Sequence, residues 1–549
     1  MKANFKPLGL AAAVATATAG FTGAVVAQER SDGNLGDLAI VPYYTVQGDW
    51  TTGVHIINSG DTTQVVKLRL RRASDSADAL DFNIILSPKD HWAGNIDDAS
   101  GNIVITTVDN TCTAPITNGS FPMSAIYRDG AEEGYIEIIQ MGQPDSELAP
   151  IAYAAKHVNG VPRDCGAVAS NFFANVGKGG QPAVPQNRGN IDNATTHQTA
   201  DAVTAQQFIA AGAVCLDAAG NPIAPGPPSV GGVCQNTYNS DDNPIKVAFH
   251  IRDQSSGVEF GGDAVHVADF SGDPWMTNQE TGLFSGDPYG FDYPDLDGGP
   301  LVFPGTTGLR GAFDDLRDPT VMGVSELLND WSINPALGVT TDWVVTMPGQ
   351  YAMLDYVIWL TAGLDPANCA RLDNPVTAQN DAVPACDFRD IPVLADLTLY
   401  DREEGEILPE SGDLVISPQP PGQVNQLQFP YEVNVVEWTD GSSEGVLSSE
   451  YATSVDASVL GNFGWANLAV SPANKPVYPD TSATGQSICQ AVPTTVSPIV
   501  DNTQRAGVCR VPATDDVAIT GFVAWQRSFP ATPDRSYGRL IDHSFVVAP

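Results

Sequence analysis

The sequence has 549 residues with 65 acidic and 26 basic side chains, so its formal net charge at neutral pH is -39. A surface of that charge repels nucleic acid and anionic membranes, which excludes proteins that act by binding either one. The excess of carboxylates keeps an exported protein soluble, and it leaves calcium as a natural small partner.

The first 27 residues have the pattern of a secretory signal peptide. Lys2 and Lys6 precede an apolar run rich in Ala, Gly and Val, and residues 25–27 offer a cleavage point before a polar segment. No later segment contains about 18 consecutive uncharged apolar residues, so we expect no membrane span. The sequence therefore predicts a secreted protein, located outside the cell or at its surface, with the periplasm as an alternative.

The stretch from Leu38 to Trp92 predicts four β-strands. Residues 38–46 and 50–58 are rich in Val, Ile, Tyr and Trp, and turn-forming residues separate them. In residues 66–71 and 80–86, apolar side chains alternate with polar ones, as they do in a half-buried strand. The four runs predict an antiparallel meander with one face in solvent.

The rest of the chain also favours strands, because 52 Gly and 41 Pro with 17% charged residues suit strands joined by long loops. The best helix candidate is Val321 to Trp331, which Asp318-Pro319 would begin. We therefore predict an all-β fold, with antiparallel β-sandwiches, long disulfide-stapled loops and few short helices. Further strands are predicted at residues 245–251, 341–347, 393–400, 431–438, 463–470 and 517–525.

Two domains are predicted after the signal peptide, because about 520 residues are too many for one ordinary sandwich. The first is a β-sandwich domain at residues 28–310 with a long loop insertion at residues 161–243. The second is a β-rich domain at residues 311–549. No low-complexity linker marks the boundary, so one large sandwich is the alternative.

All eight cysteines follow the signal peptide, and their even number predicts four disulfides in an oxidising compartment. No C-x-x-C motif or Cys/His cluster occurs, which disfavours a metal site at these residues. Other pairings are open, but neighbours in sequence suggest Cys112–Cys165, Cys215–Cys234, Cys369–Cys386 and Cys489–Cys509.

The acidic chain contains one dense basic cluster, formed by Lys67, Arg69, Arg71 and Arg72. As a binding patch, this cluster would hold a sulfated or carboxylated glycan, or the acidic face of another copy of the protein. The favoured alternative is cross-strand pairing with Asp81, and with Asp75 or Asp78 in the turn.

A candidate metal site lies in the Asp-rich segment from Phe270 to Gly299. Its carboxylates, together with turn carbonyl groups, would bind calcium weakly, although their spacing excludes an EF-hand. Carboxylates solvated in turns are the alternative. The predicted ligands are Asp273, Asp287, Asp292, Asp295 and Asp297.

No motif in the sequence identifies an enzyme. The seven histidines are far apart in sequence, so a zinc site would have to be assembled by the fold. Asp90-His91 and Asp542-His543 point adjacent side chains to opposite faces of a strand, and no G-x-S-x-G elbow accompanies them. A glycosidase pair could lie among the 65 acidic residues, and exposed Trp and Tyr beside such a pair would equally serve a lectin.

Four scattered segments carry a resemblance: Ile40-Val41-Pro42-Tyr43-Tyr44, residues 86–92, residues 341–348 and residues 537–543. As a set they resemble a family of uncharacterised secreted proteobacterial proteins, and the resemblance implies no activity. The turn Asn58-Ser59-Gly60-Asp61 is similar to turns of bacterial immunoglobulin-like modules.

Together these patterns favour an exported, non-enzymatic structural or adhesive protein that binds a surface glycan or assembles with copies of itself. A secreted carbohydrate-binding protein or a glycan-active hydrolase is the alternative. Calcium is the one cofactor that the sequence suggests.

Overall fold

The computed structural model of the chain describes residues 29–173, 215–270, 326–348, 393–470 and 519–545, with shorter gaps inside these ranges. The predicted signal peptide and the predicted domain boundary near residue 310 lie outside the described residues. Within them the chain is almost entirely β, with two short α-helices, and its antiparallel sheets pack as sandwiches. The predicted fold class is therefore confirmed.

The part of the chain up to residue 270 contains nineteen described strands and two helices, α1 (Pro150–Ala155) and α2 (Cys165–Phe173). The strands are β1 (Glu29–Arg30), β2 (Leu38–Thr45), β3 (Trp50–Asn58), β4 (Gln64–Arg72), β5 (Asp78–Leu86), β6 (His91–Asp98), β7 (Ile103–Thr106), β8 (Cys112–Ala114), β9 (Ser120–Pro122), β10 (Glu133–Pro144), β11 (His157–Val158), β12 (Val161–Pro162), β13 (Cys215–Asp217), β14 (Pro222–Ile223), β15 (Gly232–Val233), β16 (Tyr238–Asn239), β17 (Ile245–Asp253), β18 (Glu259–Asp263) and β19 (Val265–Ala268).

The described part after residue 325 adds twelve strands and a 3-10 turn at Pro533–Arg535. The strands are β20 (Glu326–Ser332), β21 (Val339–Thr346), β22 (Val393–Tyr400), β23 (Glu406–Ile407), β24 (Val415–Ser417), β25 (Gln426–Phe429), β26 (Val433–Thr439), β27 (Ala452–Asp456), β28 (Phe463–Val470), β29 (Thr520–Arg527), β30 (Tyr537–Asp542) and β31 (Ser544–Phe545).

Four large sheets form two sandwiches. Sheet 1 has the order β1-β19-β2-β10-β4-β5-β8, with β16 beside β10, and it faces sheet 2, with the order β18-β17-β3-β6-β7-β9. Sheet 3 has the order β23-β22-β28-β20-β31, with β25 beside β22, and it faces sheet 4, with the order β24-β27-β26-β21-β29-β30. The β26–β27 pair is parallel, while the other described strand pairs are antiparallel.

Alternation along the strands builds the core of each sandwich. In β17, Val247, Phe249 and Ile251 are buried between sheets 1 and 2, while the residues between them point outward. In the second sandwich, Trp331, Trp343 and Trp438 pack between sheets 3 and 4. The rings of Trp331 and Trp438 are stacked with centroids 5.6 Å apart, and Trp343 meets Trp438 edge-on at 5.2 Å.

The central strands of sheet 4 are buried on both faces, which joins the sandwiches at a surface that we call the junction. Trp343 and Val345 of β21 face sheet 3, whereas Val344 belongs to the core of the first sandwich. From β29, Phe522 places its ring centroid 6.4 Å from that of Tyr43 and 5.8 Å from that of Phe249. The junction is therefore a continuous apolar contact.

Two buried carboxylates accept hydrogen bonds from a loop at residues 445–451 and fix that loop at the junction. Asp342 Oδ2 accepts hydrogen bonds from the backbone N–H groups of Val446 and Leu447 at 2.7 and 2.8 Å. Glu133 accepts one from the Tyr43 hydroxyl at 2.6 Å and one from the Glu450 N–H at 2.8 Å. Burial raises the pKa of Glu133 and raises that of Asp342 to about 7.

Helices α1 and α2 cover part of the outer face of sheet 1, where Val65 and Ile85 contact them in a small apolar cluster. The predicted disulfide Cys112–Cys165 is present, and it ties β8 to the start of α2. The other three predicted pairs lie at least partly outside the described residues, so they stay predictions.

Two local predictions are wrong. The four strands of the stretch 38–92 form no meander, because β3 belongs to sheet 2 and β10 lies between β2 and β4. The predicted helix at 321–331 is instead strand β20, as far as the described residues reach. Its backbone pairs with β28, and Leu327 and Trp331 enter the core.

Candidate functional site

The structure buries the predicted basic patch. Lys67, Arg69, Arg71 and Arg72 on β4 are between 0 and 7% exposed, so they form no surface for a glycan or another copy. The favoured alternative is confirmed for Asp81, whose Oδ2 lies 3.3 Å from Lys67 Nζ and 3.4 Å from Arg69 Nη2. A second pair joins Arg71 Nε to Glu137 Oε1 at 3.1 Å.

The predicted calcium ligands Asp273, Asp287, Asp292, Asp295 and Asp297 lie outside the described residues. Calcium binding at this segment therefore stays a prediction. Within the described residues, no group of three or more His, Cys, Asp and Glu side chains is arranged so that it could hold a metal ion. The described helices are also all too short or too polar to cross a membrane.

The outer face of sheet 3 carries the described surface best suited to binding, and we call it the aromatic face. In β28, Ala466, Leu468 and Val470 point into the core, so Phe463, Trp465 and Asn467 point outward by alternation. In β22, the inward residues Leu397 and Leu399 place Thr398 and Tyr400 on the same outer face.

The centre of the aromatic face is a stacked pair of rings from neighbouring strands. Tyr400 and Trp465 are register partners, and their ring centroids lie 3.9 Å apart with planes inclined by only 7°. Trp465 remains 40% exposed. An aromatic side chain of that size left in solvent is the kind of surface feature that ligand-binding proteins use.

A glycine allows the two strands to approach at this point. A Cβ atom at Gly464 would overlap the backbone carbonyl oxygen of Tyr400 and the indole of Trp331 below it. Since any larger residue would push β22 away from β28, Gly464 is needed for the stacking of Tyr400 on Trp465.

Polar side chains surround the ring pair. The register places Asp330 of β20 beside Trp465, and Leu328 and Thr398 on either side of Asn467. The next row brings Glu326 and Asp396 to the two sides of Ala469, and Asn467 Nδ2 donates a hydrogen bond to Glu326 Oε1. The exposed indole therefore has one carboxylate, that of Asp330, beside it, an amide and a hydroxyl in the next row, and two further carboxylates in the row after that.

The core fixes the position of this face. The indole Nε1 of Trp343 donates a hydrogen bond to the backbone oxygen of Asp330 at 3.0 Å, which ties β20 to sheet 4. On the outer side, the guanidinium of Arg402 lies 5.7 Å from the centroid of the Phe463 ring and lengthens the row of planar groups. A ligand would thus meet a preformed surface.

Flat rings beside hydrogen-bonding groups suit a ligand that has both an apolar face and hydroxyl groups. The C–H groups of one face of a pyranose ring pack on an indole, while its hydroxyl groups donate to carboxylates and accept from amides. The aromatic face offers both kinds of contact on one surface.

Sequence reasoning found strand β28 but not the aromatic face. The alternation in Phe463-Gly464-Trp465-Ala466-Asn467 could have placed Trp465 outward with Asn467, because Ala and Leu occupy the opposite positions. The partner Tyr400 is 65 positions away, and its register with Trp465 depends on tertiary structure. From the sequence we predicted only that exposed Trp and Tyr beside a pair of carboxylates would serve a lectin.

The fold is that of an all-β protein with two β-sandwiches that share a continuous apolar contact. Comparison with protein-family models, curated proteins and solved structures finds no match to the chain.

Proposed function

We propose that this is an exported, non-enzymatic binding protein that holds a glycan on its aromatic face. The exposed Trp465 stacked on Tyr400 supports the proposal most directly. Exposed apolar rings cost free energy in water, and a ligand that covers them recovers it at roughly 25 cal/mol per Å².

Charge narrows the ligand class. The formal net charge is -39, and the aromatic face itself carries Glu326, Asp330 and Asp396. Sulfated and carboxylated glycans would be repelled by such a surface. The expected ligand is therefore a neutral glycan, which differs from the anionic glycan that the basic cluster suggested.

Binding is tested by isothermal titration of the purified, oxidised full chain with soluble neutral polysaccharides such as β-glucan, xylan and mannan, and with alginate as an anionic comparator. We expect at least one neutral glycan to bind and alginate not to bind. Trp465→Ala should weaken binding by about tenfold or more, since one lost ring contact and its buried area are worth about 1.4 kcal/mol.

The matched control is Tyr537→Ala, because Tyr537 has the same exposed fraction of 40% on a different sheet. The control should bind like the parent protein. Equal affinity of the parent protein and Trp465→Ala, or a loss of the same size in Tyr537→Ala, would overturn the assignment to the aromatic face.

A glycan-active hydrolase is the second candidate, and the three carboxylates on the aromatic face favour it. Saturable turnover of the bound polysaccharide, abolished by Asp330→Asn while binding persists, would replace the proposal of a non-enzymatic protein. Fractionation of cells, combined with negative-stain images, tests export and self-assembly separately from glycan binding.

A further inference from the structure

A groove opens where the apolar contact between the two sandwiches ends, and we call it the end groove. Phe522 and Ala524 of β29 lie in the core of the first sandwich, and Gln526 lies two residues further along on the same side. Around Gln526 the turn at residues 47–50, the turn at residues 253–255 and the loop 445–451 come together. They enclose a cavity of about 330 Å³ that is open to solvent.

The end groove is lined mainly by groups that form hydrogen bonds. They are two carboxylates, two amides and two hydroxyl groups, from Asp49, Asp253, Gln47, Gln526, Ser255 and Ser448. Among the described residues, no Lys, Arg or His side chain contributes to this lining. Carboxylates accept hydrogen bonds, whereas amides and hydroxyl groups both donate and accept. The lining therefore matches a ligand with many hydroxyl groups and no negative charge.

Part of this hydrogen-bonding capacity is unused. In the described part of the chain, the side chains of Gln47 and Asp49 have no hydrogen-bond partner. Gln526 Nε2 donates to Ser528 Oγ at 2.7 Å, which leaves the amide oxygen as an acceptor. Asp253 differs, because its Oδ1 already accepts from the N–H and the hydroxyl group of Ser255, both at 2.8 Å. Asp49, Gln47 and Gln526 are therefore the side chains that remain available to a ligand.

The walls of the end groove are fixed without a ligand. The backbone oxygen of Asp49 accepts a hydrogen bond from Gln254 N–H at 2.9 Å, which joins the two turns of the first sandwich. On the opposite wall, the Val446 N–H donates to the buried carboxylate of Asp342 at 2.7 Å. Trp50, only 8% exposed, adds an aromatic side chain to the lining. Preformed walls reduce the entropy that binding would cost.

We propose that the end groove is a second binding site, separate from the aromatic face, for one or two sugar rings of a neutral saccharide. Its volume is at the lower end of the range of about 300–1,000 Å³ that is common for small-molecule sites, and such sites are frequent between domains. Hydroxyl groups of the saccharide donate to Asp49 and accept from the amides of Gln47 and Gln526, and C–H groups contact Trp50.

The charge of the end groove selects against anionic sugars. Asp49 and Asp253 line it, and the chain as a whole carries a formal charge of -39. A uronic acid or a sulfated sugar would be repelled there. A crevice that holds only water is the competing interpretation, and it predicts no saturable binding of any sugar.

The test uses the oxidised full chain carrying Trp465→Ala, so that the aromatic face does not dominate the measurement. Cellobiose, xylobiose and mannobiose are titrated calorimetrically, with a disaccharide of uronic acids as the anionic comparator. At least one neutral disaccharide should bind and the anionic one should not. Adding Asp49→Ala should lower the affinity by at least about tenfold, because hydrogen bonds to a charged group are among the stronger ones.

The matched control is Asp61→Ala in the same background. Asp61 is a turn carboxylate with a side chain 92% exposed, and it lies beyond the opposite end of β3, so the variant removes the same charge away from the end groove. Its disaccharide affinity should equal that of Trp465→Ala alone. An unchanged melting temperature of the Asp49→Ala protein would establish that it is folded.

Two results would overturn the proposal: no saturable binding of any of the three neutral disaccharides, or equal affinities with and without Asp49→Ala. Failure of the aromatic face gives a different result. In that case the parent protein and Trp465→Ala bind polysaccharide equally, while the loss caused by Asp49→Ala persists and supports the end groove.

Discussion

The molecule buries charge in two different ways. Lys67 and Arg69 lie on the face of sheet 1 that points away from sheet 2, and they share the carboxylate of Asp81. All three side chains are buried, so opposite charges lie together away from solvent. At the junction, the buried carboxylate of Asp342 is held by the backbone N–H groups of the loop 445–451. The first arrangement compensates charge with charge, whereas the second relies on peptide dipoles.

This difference shows in the electrostatics of Asp342. Loss of hydration raises its pKa to about 7, and the neighbouring carboxylate of Glu437 adds to the increase, while the two N–H donors oppose it. Two peptide dipoles thus stabilise the ionised form less than burial destabilises it. A paired carboxylate such as Asp81 should be costly to remove, while Asp342 should be costly to keep ionised.

The largest expected effect is that of Asp81→Asn. It leaves Lys67 and Arg69 buried without their shared anion, and breaking a buried ion pair costs about 3–5 kcal/mol. Urea unfolding of the oxidised protein at pH 7 measures the loss. A loss below about 1 kcal/mol would mean that the cations are compensated elsewhere and that the contrast with Asp342 does not hold.

The next effect is a change in pH dependence caused by Asp342→Asn. The pKa of Asp342 is about 7 in the folded chain and about 3.9 in the unfolded chain, so the folded protein binds more protons between those values. The contribution of Asp342 to the free energy of unfolding is therefore fully present below about pH 4. It falls as pH rises to about 7, by up to about 1.4 kcal/mol per pH unit. The variant should lack this fall.

The measurement is the difference in unfolding free energy between parent protein and Asp342→Asn at pH 4.5 and at pH 8. The variant should gain relative stability at the higher pH. Burial lowers the pKa values of His266 and His543 to about 4, so these residues reduce stability as pH falls from about 6.5. Their contribution is the same in both proteins, so it cancels when the variant is compared with the parent protein. A difference that is the same at both pH values would contradict the prediction.

The smallest effect is expected for an exposed pair. Lys246 Nζ lies 2.8 Å from Asp263 Oδ1, and both side chains are about one third exposed. Asp263→Asn should change the unfolding free energy by about 0–1 kcal/mol, and added salt should abolish the change. If this variant lost as much as Asp81→Asn, burial would not be what separates the pairs.

Sequence predicted strand β4 and the partner Asp81 but not the burial of the charges. Alternation of apolar and charged residues shows that the two faces of β4 differ in polarity. It does not show that the charged face is exposed to solvent. Paired charges can be buried, and here Asp81 on β5 and Glu137 on β10 supply the anions. The register with β10, more than 60 residues away, has no local signal.

The errors and omissions elsewhere have the same origin. Asp318-Pro319 is a helix-start signal in the local sequence, yet Glu326–Ser332 is a strand because β28 offers a partner more than 130 residues later. Asp49, Asp253 and Gln526 each lie in or beside a strand, but their meeting in the end groove depends on the packing of distant strands. Cys112–Cys165 was predictable, since neighbouring cysteines in an exported chain often pair.

The position of Phe522 between Tyr43 and Phe249 makes the first sandwich depend on a strand that lies about 250 residues further along the chain. A chain that ends near residue 270 lacks β29, so the apolar surface around Tyr43 and Phe249 loses the ring that packs on it. Such a shortened chain should bind an apolar dye and aggregate more readily than the full chain.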